Sequence, residues 1–196
     1  MSATFTLEPT RTALLVMDFQ TPILELLEDA ASVLAATAAT IAAARKAGLS
    51  VIYIVVGFRP GHPEVSQRNK MFSGIKAAGR LVTESPGLDI DVAVQPAVGD
   101  VVILKHRVGA FSNTALETVL KARDIDTLLL CGISTSGVVL STTRHAADAD
   151  YRIFVVEDGC GDFDAEIHRM LMEKVFLRQA EVVLSGDVVG VLGKLD

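Results

Sequence analysis

Short apolar runs alternate with longer helix-prone stretches along this chain. The runs are 13–19 (ALLVMDF), 50–56 (SVIYIVV), 101–106 (VVILKH), 127–133 (TLLLCGI), 152–157 (RIFVVE) and 181–184 (EVVL). Each is four to seven residues long and mostly apolar rather than alternating, the pattern of strands covered on both faces. Between them lie stretches that predict helices. Residues 30–46 are Ala-rich and end on Arg45-Lys46, with Gly48 as the stop. A helix is expected over 136–149, and another over 164–176 with Ile167, Met170, Leu171 and Val175 on one face. Thr114-Ala115-Leu116-Glu117 fits a capping box at the start of a helix carrying Leu116, Val119 and Leu120. Residues 57–87, with Pro60, Pro63 and Pro86, read as a long loop holding a short helix near 73–80.

Strand and helix in strict alternation imply βαβ units. The expected fold is α/β, a three-layer sandwich around a mostly parallel sheet of roughly six strands. A chain of 196 residues is the right size for one such domain, residues 1–196. In sheets of this type ligands bind beyond the carboxyl ends of the strands, and this rule picks out candidate residues.

Asp18 follows the apolar residues of the first run, and Lys105 follows Val101-Val102-Ile103-Leu104. A charge at the end of a buried strand is costly unless it is paired or used. The loop Gly132-Ile133-Ser134-Thr135-Ser136-Gly137 follows the fourth run and opens a helix, where free amides suit an anion or oxyanion. An acid, an amine and an amide cradle on three strand ends can share one cleft. A second reading of Asp18 and Lys105 is a structural ion pair, and Ser134, Thr135 or Ser136 also suit a helix cap.

Composition narrows the function classes. Half the residues are hydrophobic and 21% are charged, which excludes a disordered chain. The net charge of −6 comes with scattered basic residues, so phosphate-driven nucleic-acid binding is not expected. The longest uncharged stretch, 30–44, is too short and too polar for a membrane span. Cys131 and Cys160 form no CxxC or paired framework, and Cys131 reads as a small core residue. Residues 1–10 carry no secretory signal, so a reduced cytoplasmic protein is expected. His62, His106, His145 and His168 make no metal-binding pattern, and no dinucleotide or P-loop motif is present, so neither metal nor cofactor is expected.

Gly132-Ile133-Ser134-Thr135-Ser136 also nearly matches a serine nucleophile elbow, with Asp158 and His168 in the right order to complete a triad. The stronger likeness is broader. The segments 13–20, Lys105 with Phe111, Thr114 and Leu116, then 132–135, and 139–158 with Thr143, Ala147 and Asp148, resemble the isochorismatase-like hydrolase superfamily. That superfamily, also called the cysteine hydrolases, includes nicotinamidases. The likeness runs from about residue 10 to 185.

This resemblance implies an aspartate, lysine and cysteine triad on a parallel-sheet α/β sandwich. Asp18 and Lys105 match its first two members. The family pattern Gly-x-x-Thr-x-x-Cys-Val falls on Gly132, Thr135, Val138 and Val139, so valine stands at the nucleophile position. Acyl transfer through a thiolate is then unavailable at Val138. The histidine pattern of the nicotinamidase metal site is absent from 57–64 (GFRPGHPE). True isochorismatases also lack the cysteine. They cleave a vinyl ether, with the aspartate as general acid and water capturing the oxocarbenium, although they carry glycine where Val138 stands. The resemblance implies a cysteine-independent hydrolase of a small molecule, with Asp18 as acid/base and Lys105 positioning it and stabilising charge. Phe19, Gln20, Phe58, Arg59 and Phe111 are expected to wall the pocket, with Arg59 facing an anionic substrate, and Ser134, Thr135 and Gly137 to contact the substrate. A homodimer or homotetramer is the family expectation. The alternatives are a pseudoenzyme or binding module on the same fold, and the Ser134 hydrolase.

Overall fold

The computed structural model describes residues 5–83 and 90–194. Six strands form one sheet: β1 (Thr12–Met17), β2 (Ser50–Val56), β3 (Val101–Lys105), β4 (Thr127–Ile133), β5 (Arg152–Gly161) and β6 (Glu181–Val183). Every pairing is parallel, in the order β3-β2-β1-β4-β5-β6. The helices are α1 (Thr21–Leu24), α2 (Ala30–Lys46), α3 (Lys70–Ala77), α4 (Leu116–Ala122), α5 (Leu140–Asp148), α6 (Ala165–Met170) and α7 (Ser185–Leu192). None of them is long and apolar enough to cross a membrane.

Both faces of the sheet are covered, which is why its strands read as continuous apolar runs. Along β1 the side chains alternate between two cores. Leu14 and Val16 join Ile41 and Ala44 of α2 and Val188 and Leu192 of α7 on one face. Ala13, Leu15 and Met17 join Leu116 and Leu120 of α4, Ala146 of α5, and Leu171 and Phe176 on the other. The result is the expected three-layer α/β sandwich. A smaller cluster of Val56, Phe58, Val65 and Phe72 lies over the carboxyl end of β2.

The element limits differ from the sequence expectations in informative places. The last part of the expected 57–87 loop lies outside the described residues, and its helix starts at Lys70, where the Asn69 side chain accepts from the Phe72 amide. The capping box at Thr114 does not form. Thr114 Oγ1 donates to Ala110 O at 2.6 Å, and Glu117 pairs with Lys121 one turn on. Two expected helices begin or continue as wider turns with i→i−5 bonding. Residues Thr135–Val139 precede α5, and Leu171–Val175 follow α6. The second widening rotates the apolar stripe, so Leu171, Met172 and Phe176 are buried while Ile167 and Met170 stay exposed. β5 runs four residues beyond its expected end, and α1 and α7 were not anticipated.

Candidate active site

The strand order reverses at β1, with β2 on one side and β4 on the other. Helices diverge to opposite faces there, which opens a crevice at the carboxyl ends. Asp18 is the first residue after β1 and takes a left-handed conformation (φ 61°) that aspartate tolerates better than most residues. Its amide donates to Ile54 O of β2 at 2.8 Å. Lys105 closes β3 and pairs with Val56, two residues beyond the Met17 and Ile54 pair. That offset carries the lysine across the end of β2 to Asp18.

The two side chains meet at 2.8 Å, Lys105 Nζ to Asp18 Oδ2. Both are almost fully buried. Lys105 Nζ also donates to Arg107 O at 3.1 Å. Asp18 Oδ1 is buried and has no partner among the described residues. Burial pushes the Asp18 carboxyl above the usual carboxylate range, with the Lys105 ammonium pulling the other way. One oxygen is thus held by the amine and the other is left for a proton or a ligand.

The pair lines a cavity of about 130 Å³ whose wall is otherwise largely apolar. β4 and the turn after it contribute Ile133, Ser134, Gly137 and Val138; α1 and α3 contribute Ile23, Met71, Phe72 and Ile75; Val56 of β2 with Leu26, Arg80, Leu81, Val108 and Phe163 complete the wall. The cavity therefore brings together Asp18, Lys105, Val138, Ser134 and Gly137 from the residues singled out in the sequence. Val138 is buried, and its branched apolar side chain is part of the cavity wall.

The other expected pocket residues stand elsewhere, each for a local reason. Phe19 falls on the core side of the β1 end, packed among Val16 and Tyr53. Gln20 is a backbone clamp, with Nε2 donating to Val56 O at 3.0 Å and Oε1 accepting from Val56 N at 2.8 Å. Phe58 lies behind the wall, edge-on to Phe72 at 5.3 Å. Arg59 points to solvent, 75% exposed and paired with Glu64 at 3.2 Å. Phe111 stacks on His145 at 4.3 Å in the far core. Thr135 is fully buried, its hydroxyl 2.8 Å from His168 Nδ1.

The serine triad is not assembled. His168 is engaged with Thr135 rather than Ser134. Asp158 is committed to Ser185, accepting from its amide at 2.7 Å and its hydroxyl at 2.6 Å. The amide cradle is also narrower than expected, because the helix opens as a wide turn. The Gly137 and Val139 amides bond Ser134 O, and the Ser136 amide donates to Asp162 Oδ2 at 2.6 Å.

Neither cysteine is placed to react. Cys131 and Cys160 are both buried free thiols. They lie in the cores on opposite faces of the sheet. Burial raises the Cys131 thiol well above its usual value and pushes Cys160 up to about 12. The thiolate is the nucleophilic form, so burial disfavours the reactive form of both.

Among the wall residues, Arg80 was not anticipated. It sits in a polar stretch without periodicity, where nothing local marks one arginine over another. Among the described residues no cluster of three or more potential metal ligands occurs.

An open parallel sheet with a buried acid and amine at its switch point defines the class: an α/β protein with a polar pair at its strand-end crevice. Within that class the chain belongs to the isochorismatase family, whose Isochorismatase domain model matches residues 12–187. The chain is 32% identical over 194 residues to a probable isochorismatase of Pseudomonas chlororaphis, covering 95% of this chain and 89% of that one. It is 41% identical over 83 residues to YecD of Escherichia coli O157:H7, an uncharacterized isochorismatase family protein. That match covers 42% of this chain and spans less than half, 44%, of the relative. The crystal structure of a cysteine hydrolase from Pseudomonas syringae pv. phaseolicola 1448A shares the fold, with a TM-score of 0.89 at 24% identity, over 98% of this chain and 97% of that one.

Proposed function

We propose that this family member is a cysteine-independent hydrolase of a small molecule, with Asp18 as the acid/base and Lys105 as its positioning and charge-stabilising partner. The observation that carries the reading is the Asp18 carboxyl, buried on the cavity wall with one oxygen held by Lys105 and the other without a partner among the described residues. Desolvation favours its protonated form, which suits a proton donor. The valine at position 138 removes covalent catalysis at the family's nucleophile position.

The bond class that fits an acid without a nucleophile is an enol ether. Asp18 gives its proton to the terminal carbon of the double bond, and the ether-bearing carbon becomes an oxocarbenium. Water adds to that carbon and its proton returns to the Asp18 carboxylate. The resulting hemiketal then collapses to a carbonyl compound and an alcohol. Lys105 faces a carboxylate after the first step and a neutral acid after the second, so it favours the charge-separated intermediate.

A second reading, a binding module with catalysis lost, draws on the Ser136, Gly137 and Val139 amides, which are already engaged. A hydrolysis screen read by mass spectrometry separates the two. Wild type and Asp18→Asn are incubated with amides, esters, ureas and vinyl ethers, including isochorismate. Turnover of a vinyl ether that is lost in Asp18→Asn is the expected result. Turnover that survives the substitution moves the chemistry away from Asp18. No turnover across the panel favours the binding module.

A further inference from the structure

The segment that leaves β5, forms α6 and continues through the wide turn is apolar on two sides. Leu171, Met172 and Phe176 face the core. Phe163, Ile167, Met170 and Leu177 stand outward, 38–60% exposed. A helical segment on a protein surface ordinarily keeps its apolar residues to one stripe and turns polar ones to water. Single exposed apolar residues need no explanation, but these four recur within one short segment. The charges of the segment are sorted by sign. Asp162, Asp164 and Glu166 lie at its start, and Lys174 and Arg178 at its end. Arg169 and Glu173, between them, pair with each other. Asp162, Glu166, Lys174 and Arg178 have no ion-pair partner among the described residues. The helix dipole favours acids at the start and bases at the end. That accounts for the sorting, and leaves the outward apolar residues without a reason.

We propose that this face pairs with the same face of a second copy of the chain, antiparallel, across a two-fold axis near Met170. The spacing of the residues carries the register. Phe163 and Leu177 lie seven residues to either side of Met170, Glu166 and Lys174 four, and Asp162 and Arg178 eight. A two-fold there sets Met170 against its own copy and Phe163 against Leu177 of the second chain. It also sets Glu166 against Lys174, and Asp162 against Arg178. Each contact then occurs twice, as an isologous interface requires. The same order of charges selects the occupant. Parallel packing would bring like charges together, and an anionic membrane would be repelled by Asp162 and Glu166. Phe163 also lines the cavity, so the pairing brings the second copy to the edge of the site. The inference does not depend on the reaction assigned to Asp18.

Sedimentation equilibrium on the full chain tests the face apart from turnover. One segment offers less than the roughly 800 Å² per partner of a standard interface. Wild type is therefore expected to associate through it with a dissociation constant on the order of micromolar to tens of micromolar. Met170→Glu should raise that constant about tenfold or more, because the two-fold brings two carboxylates together in the centre of the contact. Glu166→Lys and Lys174→Glu should each weaken association by a similar factor. Glu166→Lys/Lys174→Glu should return it to within about threefold of wild type, since the exchange restores opposite charges across the axis. Val98→Lys, in the exposed loop before β3, should change nothing. Thermal melts check that each variant is folded. A chain that stays monomeric at every accessible concentration overturns the proposal and leaves the face to another partner. An assembly that Met170→Glu leaves intact, that Val98→Lys weakens equally, or that the double exchange fails to restore overturns it as well.

Discussion

Asp18 concentrates the chemistry of the site in one carboxyl group whose two oxygens have different surroundings. If it acts as the general acid, its protonated fraction sets the rate. The expected pH profile of kcat/KM is therefore a plateau that falls about tenfold per pH unit above the Asp18 pKa. Burial places that limb above the ordinary carboxylate value. A profile rising with pH through the same range would make Asp18 a base in the rate-limiting step. Val138 gives a second prediction at this scale. Val138→Cys puts a thiol on the cavity wall beside an acceptor carboxylate and an ammonium, with Cys131 and Cys160 buried in the cores. Iodoacetamide should label it faster than an exposed free cysteine, and equal or slower labelling would mean that position 138 does not face the pair. The meeting of Asp18 and Lys105 was legible in the sequence because each charge ends an apolar run, where burial demands a partner whether the pair is structural or functional. Phe19 and Gln20 were not, because a chain leaving a strand still alternates sides. One residue beyond Asp18 the side chain returns to the core, and the next is spent on the β2 backbone.

Elements differ in how strongly their sequence declares them. β2, β4 and α2 were legible to the residue, since continuous apolar runs and a 17-residue alanine-rich stretch each satisfy one period. The widened turns were not, because an extra residue per turn leaves composition unchanged while shifting the buried stripe. α7 contains Gly186 and Gly190, which weaken helix propensity, and it exists because Val188 and Leu192 dock on the sheet. The turn after β4 matters most for the site, since Ser134, Gly137 and Val138 all reach the cavity from it. A Cβ at Gly137 would lie 2.7 Å from Ser134 Oγ and 3.8 Å from Val108 Cγ1. The serine side chain can rotate away, so the fold should survive while the wall changes shape. Gly137→Ala is expected to lower kcat/KM about tenfold or more, given how steeply rates fall with misplacement, with a melting temperature within a few degrees of wild type. A large loss of melting temperature together with activity would show that the glycine serves the fold rather than the wall.

Across the whole molecule, the Asp18 and Lys105 pair ties the end of β1 to the end of edge strand β3 over β2. Removing one member of such a buried pair typically costs about 3–5 kcal/mol, because the other charge is left without compensation. Lys105→Met therefore combines a stability loss with a pH signature. Without the ammonium, nothing opposes burial, and the Asp18 pKa in the folded protein rises further above its value in the unfolded chain. A carboxyl whose folded pKa is raised contributes its full stability below the unfolded value, about 3.9. That contribution drains away as pH rises through the folded pKa. The destabilisation of Lys105→Met relative to wild type should thus be small near pH 4 and grow towards neutrality. In the double variant Asp18→Asn/Lys105→Met no titrating group remains, and Asn keeps the left-handed backbone of position 18 accessible. Its stability relative to Lys105→Met should rise from pH 4 towards neutrality, because only Lys105→Met still carries the titrating carboxyl. Urea unfolding midpoints of the three proteins at several pH values measure this directly. A Lys105→Met penalty that does not change with pH would mean that Asp18 stays ionised without its partner. The carboxyl would then lack the proton affinity that a buried general acid requires, and the proposed proton transfer would lose its physical basis.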